Sequence, residues 1–310
     1  MLRILLLTFS AIGAMAQPLV DYHQHLFHPA VTAMDPDTGT VTGSELIAYL
    51  DAAGIRRALV LSVAYQFANP NRPAVQDEYA KVRAENDWTS EQVARFPDRL
   101  RGFCGFNPLR DYALQELARC AQDPQLHYGI KLHFGNSDVD LDNPEHVARL
   151  RQIFREANRR RMAIAVHMRS SITRKRPYGA KEAHVFLTEL LPVVSRVPVQ
   201  IAHLCGPGGY DDPAIDEALG VFVDAIARHD PRMAHVYFDI SGVAGTGHWE
   251  QKSELIATRV RQLGLGRVLC GSDGAIPGNT PREQWTRFRQ LPLSDAEFRT
   301  IEGNIAPYMK

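Results

Sequence analysis

Short runs of β-branched and apolar residues alternate along this chain with longer stretches whose apolar positions recur every three or four residues. Eight of the runs read as strands: 18–25, 57–63, 101–107, 128–134, 162–168, 197–204, 235–241 and 267–273. The stretches between them read as amphipathic helices. Residues 44–54 end on Gly54, in the place of a helix C-terminal cap. Residues 143–161 open with Asn143 and Pro144, a cap and a first turn, and then repeat Val147, Leu150, Ile153 and Phe154 at helical spacing. Residues 213–229 have the same character. Strand followed by helix, eight times over, calls for a parallel sheet. Eight such units in roughly 250 residues is the size of a (β/α)8 barrel. A doubly wound open sheet is the alternative, but it usually places a glycine-rich turn after its first strand, and here that strand ends in histidines. No linker or change of composition divides the chain. The expectation is one TIM-barrel domain over 17–310, with its active site at the C-terminal strand ends.

Residues 1–16 stand apart. Arg3 precedes the apolar run ILLLTFSAIGA, and Ala14-Met15-Ala16 follows it. That order of charge, apolar run and small residues is the pattern of a secretory signal peptide, with cleavage near Ala16 and a secreted or periplasmic product. Export makes disulfides available. The four cysteines show no metal-like spacing. Cys104 and Cys270 fall in strand runs and read as small buried hydrophobes, while a Cys104–Cys120 bridge is left open. Lys plus Arg equals Asp plus Glu at 35 each, which gives no reason to expect a nucleic-acid or membrane-surface partner. The basic run 159–161 closes a helix, where cations suit the dipole.

In a parallel barrel the C-terminal strand ends share one face. The expected strands end there in His23 and His25, in Lys131 and His133, in His167, in His203 and in Asp273. Alternation sends positions two apart to the same side, so His23 and His25 point together into the barrel mouth. Three imidazoles and a carboxylate make a borderline-soft site suited to one divalent ion, Zn²⁺ first and Mn²⁺ or Fe²⁺ next.

The ordered set DYHQH, GIKLHF, AVHM, IAHLCG and LCGSDG resembles the strand-end motifs of the amidohydrolase superfamily, in particular its amidohydrolase-related branch of metal-dependent barrel hydrolases and decarboxylases. The ending IEGNIAPYM resembles the last helix of that branch, with Asn304 in the place of the residue that closes the barrel. The resemblance implies His23, His25, His167 and Asp273 as ligands of one ion, with Asp273 also moving protons and His203 polarising the reacting group. It leaves Lys131 with two readings. One is a carboxylated bridge between two ions. The other is a buried cation paired with an acid such as Asp21 or Asp239.

The activity implied is hydrolysis of an amide, ester or lactone by a metal-activated water. The alternative is non-oxidative decarboxylation of an aromatic or related carboxylic acid, and a binding protein on a retained barrel is a third reading. His133, Arg169 and Trp249 are the candidate substrate contacts. The loop 169–184 is long and basic, which points to a small anionic substrate. A homo-oligomer is compatible with the sequence.

Overall fold

The computed structural model describes residues 17–34, 39–245, 247–275 and 278–310; the expected leader, 1–16, lies outside the described residues. Eight parallel strands lie side by side in chain order: β1 Val20–Gln24, β2 Arg57–Leu61, β3 Leu100–Gly105, β4 Gly129–His133, β5 Ala163–His167, β6 Val199–Ile201, β7 Val236–Asp239 and β8 Val268–Leu269. The row curls until its edges meet, where Tyr22 N donates to Cys270 O and Asp273 N to His23 O, each at 2.8 Å. Between and after the strands lie α1 Pro29–Thr32, α2 Gly43–Ala53, α3 Glu78–Ala94, α4 Ala113–Cys120, α5 Pro144–Arg160, α6 Ala180–Val185, α7 Pro213–Ala227, α8 Ser253–Leu263, α9 Pro281–Phe288 and α10 Asp295–Glu302. This is the single-domain (β/α)8 barrel expected from the alternation. No helix among the described residues is long and apolar enough to cross a membrane.

Local chemistry sets the helix ends. Thr42 and Glu45 form a reciprocal capping box at the start of α2, and Gly54 ends that helix at φ 72°. Asn143 accepts from Glu145 N at the start of α5, and Leu150, Ile153, Phe154 and Ala157 carry its buried face. Arg159 and Arg160 pair with Glu156 at 2.6 Å, so the basic run is a solvated helix end.

The barrel has a floor. Tyr22, Leu59, Leu61, Phe103 and Leu269 point inward and meet Ala306, Tyr308 and Met309 from the C-terminal tail. Arg57 and Arg101 hold that tail by its carbonyls, bonding Met309 O and Tyr308 O at 2.5 Å each. Asn304 lies just past α10 rather than inside a helix. Its amide donates to Leu265 O and Val268 O at 2.7 Å each, tying the tail to β8.

β6 and β8 are shorter than the runs 197–204 and 267–273. After Ile201 the chain leaves the ladder through His203, Leu204 and Cys205, all at positive φ (55°, 47° and 74°). After Leu269 it passes Gly271, where a Cβ would lie 2.9 Å from that of His23, and then Asp273 at φ 52°. Cys104 is not a free apolar residue as the strand reading has it. It forms a disulfide with Cys120 at the end of α4, across a Cα separation of 6.1 Å, because the barrel brings β3 against the helix that follows it. Cys205 and Cys270 are free and buried.

One group in the helical layer is out of place. Glu85 on α3 is buried, and neither of its carboxylate oxygens has a hydrogen-bond partner. Burial pushes its pKa up to about 8. The folded chain therefore binds this proton more tightly than the unfolded chain. The associated stability is complete below the ordinary glutamate pKa and is lost as pH rises through about 8, at roughly 1.4 kcal/mol per pH unit in that window. Glu85→Gln should match the parent in Tm near pH 4.5 and exceed it by several degrees at pH 9. Parallel melting curves for the two proteins over that range would refute this.

Candidate active site

The strand that carries the first two histidines, β1, contains a bulge. Its register on β2 runs Val20 to Arg57, Asp21 to Ala58, then Gln24 to Val60, which leaves one extra residue on β1. Regular alternation puts positions three apart on opposite faces. Here Gln24 Nε2 donates to Asp21 Oδ2 at 2.8 Å, so the two share a face. Asp21 also accepts from Ser272 N (3.0 Å) and Ser272 Oγ (2.6 Å), and this stitches β1 to the segment that carries Asp273. Burial pushes Asp21 up to about 6, against the pull of these bonds. Asp21 is therefore a seam residue and not a partner of Lys131.

Three imidazoles are held in the same way. His23 Nδ1 donates to Asp239 Oδ2 (3.0 Å), His25 Nδ1 to Leu61 O (2.6 Å) and His203 Nδ1 to Ser241 O (2.8 Å). Carbonyl and carboxylate oxygens only accept, so each Nδ1 carries the proton and each Nε2 presents a lone pair. His23 and His203 face each other with ring centroids 4.6 Å apart, and His23 and His25 are 5.1 Å apart. Asp273 completes the group, its carboxylate 3.5 Å from His25 Nε2 and 4.0 Å from His23 Nε2. Burial, and then the nearby Lys131 charge, hold His23 and His25 down at about 3, so both are neutral.

Asp239 organises this set from below. It accepts from His23 Nδ1, Gln200 Nε2 (2.7 Å), His203 N (3.0 Å), Ser241 N (3.1 Å) and the Ser241 hydroxyl. Burial alone would raise its pKa. The His23 interaction and the Ser241 bond overcome that and hold it far below the usual range. Gln200 in turn donates to Tyr22 O (3.1 Å) and accepts from Tyr308 OH (2.5 Å), which links the floor to the ligand shell.

The donor chemistry fits a divalent ion, since imidazoles with anchored Nδ1 atoms and Nε2 atoms turned toward a shared carboxylate are how proteins present histidine to metals. His23, His203 and Asp273 offer ligand atoms that all lie within 4.8 Å of one another. His25 joins them through Asp273. His167 stands one step out, 5.0 Å from the His203 ring and stacked on His133 at 3.8 Å. Lys131 is fully buried, with Nζ 3.3 Å from His23 Nε2, on the side where that histidine would bind an ion. Burial lowers its pKa to about 8, although Asp239 and Asp273 pull the other way.

The expected substrate contacts separate. His133 and Arg169 line a cavity of about 230 Å³ beside His167. Trp249 does not line it and is buried in the main apolar cluster. In the basic loop, Arg174 pairs with Asp138 (3.3 Å), and Arg176 with Asp138 (2.8 Å) and Asp140 (3.3 Å). Those charges tie the loop after β5 to the loop after β4. Tyr65 was not foreseen. Its ring lies 5.1 Å from that of His133, and burial, with Asp273 nearby, pushes its hydroxyl well above the usual range. It follows β2 on a 3-10 turn, where no spacing rule marks it.

These features define a (β/α)8 barrel with a metal-capable histidine and aspartate cluster at its C-terminal mouth. The chain belongs to the amidohydrolase family, whose model matches residues 20–304. Similar solved structures include a 5-carboxyvanillate decarboxylase from Sphingomonas paucimobilis, with 17% identity over 93% of this chain and 97% of that one and a TM-score of 0.63. Another is a dihydroxybenzoic acid decarboxylase from Polaromonas sp. JS666 with bound manganese and the inhibitor 2-nitroresorcinol, with 15% identity over 92% and 94% and a TM-score of 0.63. A third is an amidohydrolase from Burkholderia multivorans with bound zinc, with 14% identity over 94% and 96% and a TM-score of 0.61. No curated protein matches the sequence.

Asp239→Asn removes the charge that fixes the His23 tautomer and leaves an amide donor facing other donors. Zinc affinity should fall by roughly 10- to 100-fold while the helical circular dichroism is retained. Unchanged zinc affinity in a titration would show that Asp239 does not organise the site.

Proposed function

We propose that the protein is an exported, metal-dependent hydrolase acting on an amide, ester or lactone of a small molecule. The observation that carries this reading is the position of Asp273. Its side chain is 37% exposed, unlike the buried histidines, yet its carboxylate faces the Nε2 atoms of His23 and His25. A proton acceptor thus sits where water reaches the cluster. One divalent ion held by His23, His25 and Asp273, with His167 as the resemblance has it or His203 as the distances have it, would supply Lewis acidity and positive charge. Zinc suits the imidazole set best, with manganese and iron next.

Within the chain, Asp273 takes a proton from the attacking water and returns it to the leaving group. His203, with its Nδ1 proton committed to Ser241, offers Nε2 as a ligand or as a proton acceptor. Lys131 remains the candidate bridge should a second ion bind. The leader-like residues 1–16 and the Cys104–Cys120 disulfide support export, because disulfides persist in oxidising compartments.

A second reading is non-oxidative decarboxylation of an aromatic or related acid. It draws on the decarboxylases among the structures that share this fold.

His23→Ala and Asp273→Ala belong to every ligand set considered and should each lose bound zinc, by elemental analysis, together with more than 99% of turnover. His203→Ala should lose zinc if the distances define the set, and keep zinc while losing rate if the resemblance does. Screening against esters, lactones and aromatic acids should show acid release without CO₂. Stoichiometric CO₂ from an aromatic acid, with no ester or lactone cleaved, would replace the hydrolase reading with the second one.

A further inference from the structure

The third arginine of the basic run is not absorbed by the helix end. Arg159 and Arg160 pair with Glu156. The Arg161 guanidinium has no hydrogen-bond or ion-pair partner among the described residues. Arg161 closes α5 at φ 61°, a left-handed position where glycine is the usual residue. A second arginine is anchored beside it. Asn158 takes both backbones: its carbonyl accepts from Arg161 N at 3.3 Å, and its side-chain oxygen accepts from Arg196 N at 2.9 Å. The Arg196 guanidinium likewise has no partner among the described residues, and both arginines are exposed.

The two arginines border one cavity of about 450 Å³ on the underside of the barrel. Its wall includes Tyr128 just before β4, Pro198 just before β6, and Pro307 and Tyr308 of the tail, with no aspartate or glutamate. These residues lie at the N-terminal strand ends, opposite the mouth where His23 and Asp273 meet. Tyr308 donates its hydroxyl proton to Gln200 Oε1 at 2.5 Å, so it offers the cavity only its ring. Tyr128 is held by the Arg101 guanidinium, 4.7 Å over its ring, and its own hydroxyl has no partner among the described residues.

Two guanidiniums with no acid between them call for about two negative charges. The planar guanidinium fork matches a pair of phosphate oxygens, and a phosphate monoester is close to a dianion above pH 7. We propose that this cavity binds a phosphate dianion, free or as a small monoester, between Arg161 and Arg196. The Tyr128 hydroxyl is a further donor, and the proline and tyrosine side chains line the space for an ester group. The site stands apart from the metal-capable cluster and plays no part in the hydrolytic reading.

Phenyl phosphate, inorganic phosphate and the monoanion phenyl sulfate serve as probes, titrated calorimetrically into the full chain well above the second phosphate pKa of about 6. Phenyl phosphate should bind at a single site and about tenfold more tightly than phenyl sulfate. An inorganic phosphate affinity at or above that of phenyl phosphate would assign the free ion, a lower one the ester, and both keep the site. Arg161→Gly and Arg196→Gln should each weaken binding roughly tenfold. Arg159→Gln removes the same charge from the same helix end and should leave the affinity at the parent value. Glycine suits the left-handed position, so Arg161→Gly should melt no lower than the parent. Binding should also persist in His23→Ala, where the cluster at the mouth is broken. No measurable binding of either phosphate, equal binding of phenyl sulfate and phenyl phosphate, or equal losses in Arg159→Gln and Arg161→Gly would overturn the site. So would binding that vanishes in His23→Ala and survives in both Arg161→Gly and Arg196→Gln.

Discussion

One buried carboxylate fixes the geometry of the whole mouth. Asp239 has no exposed surface, and a bare charge in such a place would be prohibitively costly. Its two oxygens receive five donors, from His23, Gln200, the backbone of His203, and the backbone and hydroxyl of Ser241. With that many donors the charge is stable, and none of the donors is free to turn. His23 must put its proton on Nδ1. Gln200 cannot flip its amide, because Tyr22 O and Asp239 both demand its nitrogen. The floor and the mouth are thereby one hydrogen-bonded unit running from Tyr308 through Gln200 and Asp239 to His23.

The backbone is bent to suit that unit. Three consecutive non-glycine residues, His203 to Cys205, sit at positive φ, and Asp273 does so as well. Each such residue costs roughly 1–2 kcal/mol, so the conformations persist only because the surroundings dictate them. For His203 the dictating contacts are its own N–H on Asp239 and its ring on Ser241. For Asp273 they are its N–H on His23 O and the Asp21–Ser272 bonds next door. Both bends fall at strand ends, and both aim a functional group into the mouth that a continued strand would have carried past it.

The barrel and the polar strand ends were legible in the sequence because they rest on local periodicity. Apolar runs set the strands, and a spacing of two sets the common direction of His23 and His25. That common direction holds despite the β1 bulge between Asp21 and Gln24, since both Nε2 atoms face Asp273. The bulge was not legible, so Asp21, which simple alternation would have turned toward the histidines, proved to be a seam residue. Gln200, Asp239 and Ser241 were invisible as a group because their meeting depends on which strands become neighbours. The arginines of the loop after β5 were misleading for the same reason. Composition shows their charge but not the aspartates of the next loop that consume it. The disulfide needed the packing of α4 on β3 to become a definite pair.

The same bonds serve stability and function, and this has a consequence for how the site can vary. Asp21 and Ser272 close the barrel edge one residue before Asp273. Tyr22, immediately before His23, takes its hydroxyl proton to Asn304 O (3.2 Å) and accepts from Ala306 N (2.7 Å) in the tail. A change that loosens the seam or the tail therefore moves the cluster, even where it touches no ligand. The loops after β4 and β5 are tied instead to each other, through Arg176 with Asp138 and Asp140. The seam and these loops are thus held by separate sets of bonds. Substitutions in the loops can therefore leave the seam and the histidine cluster in place, which is the division that lets one barrel carry many specificities.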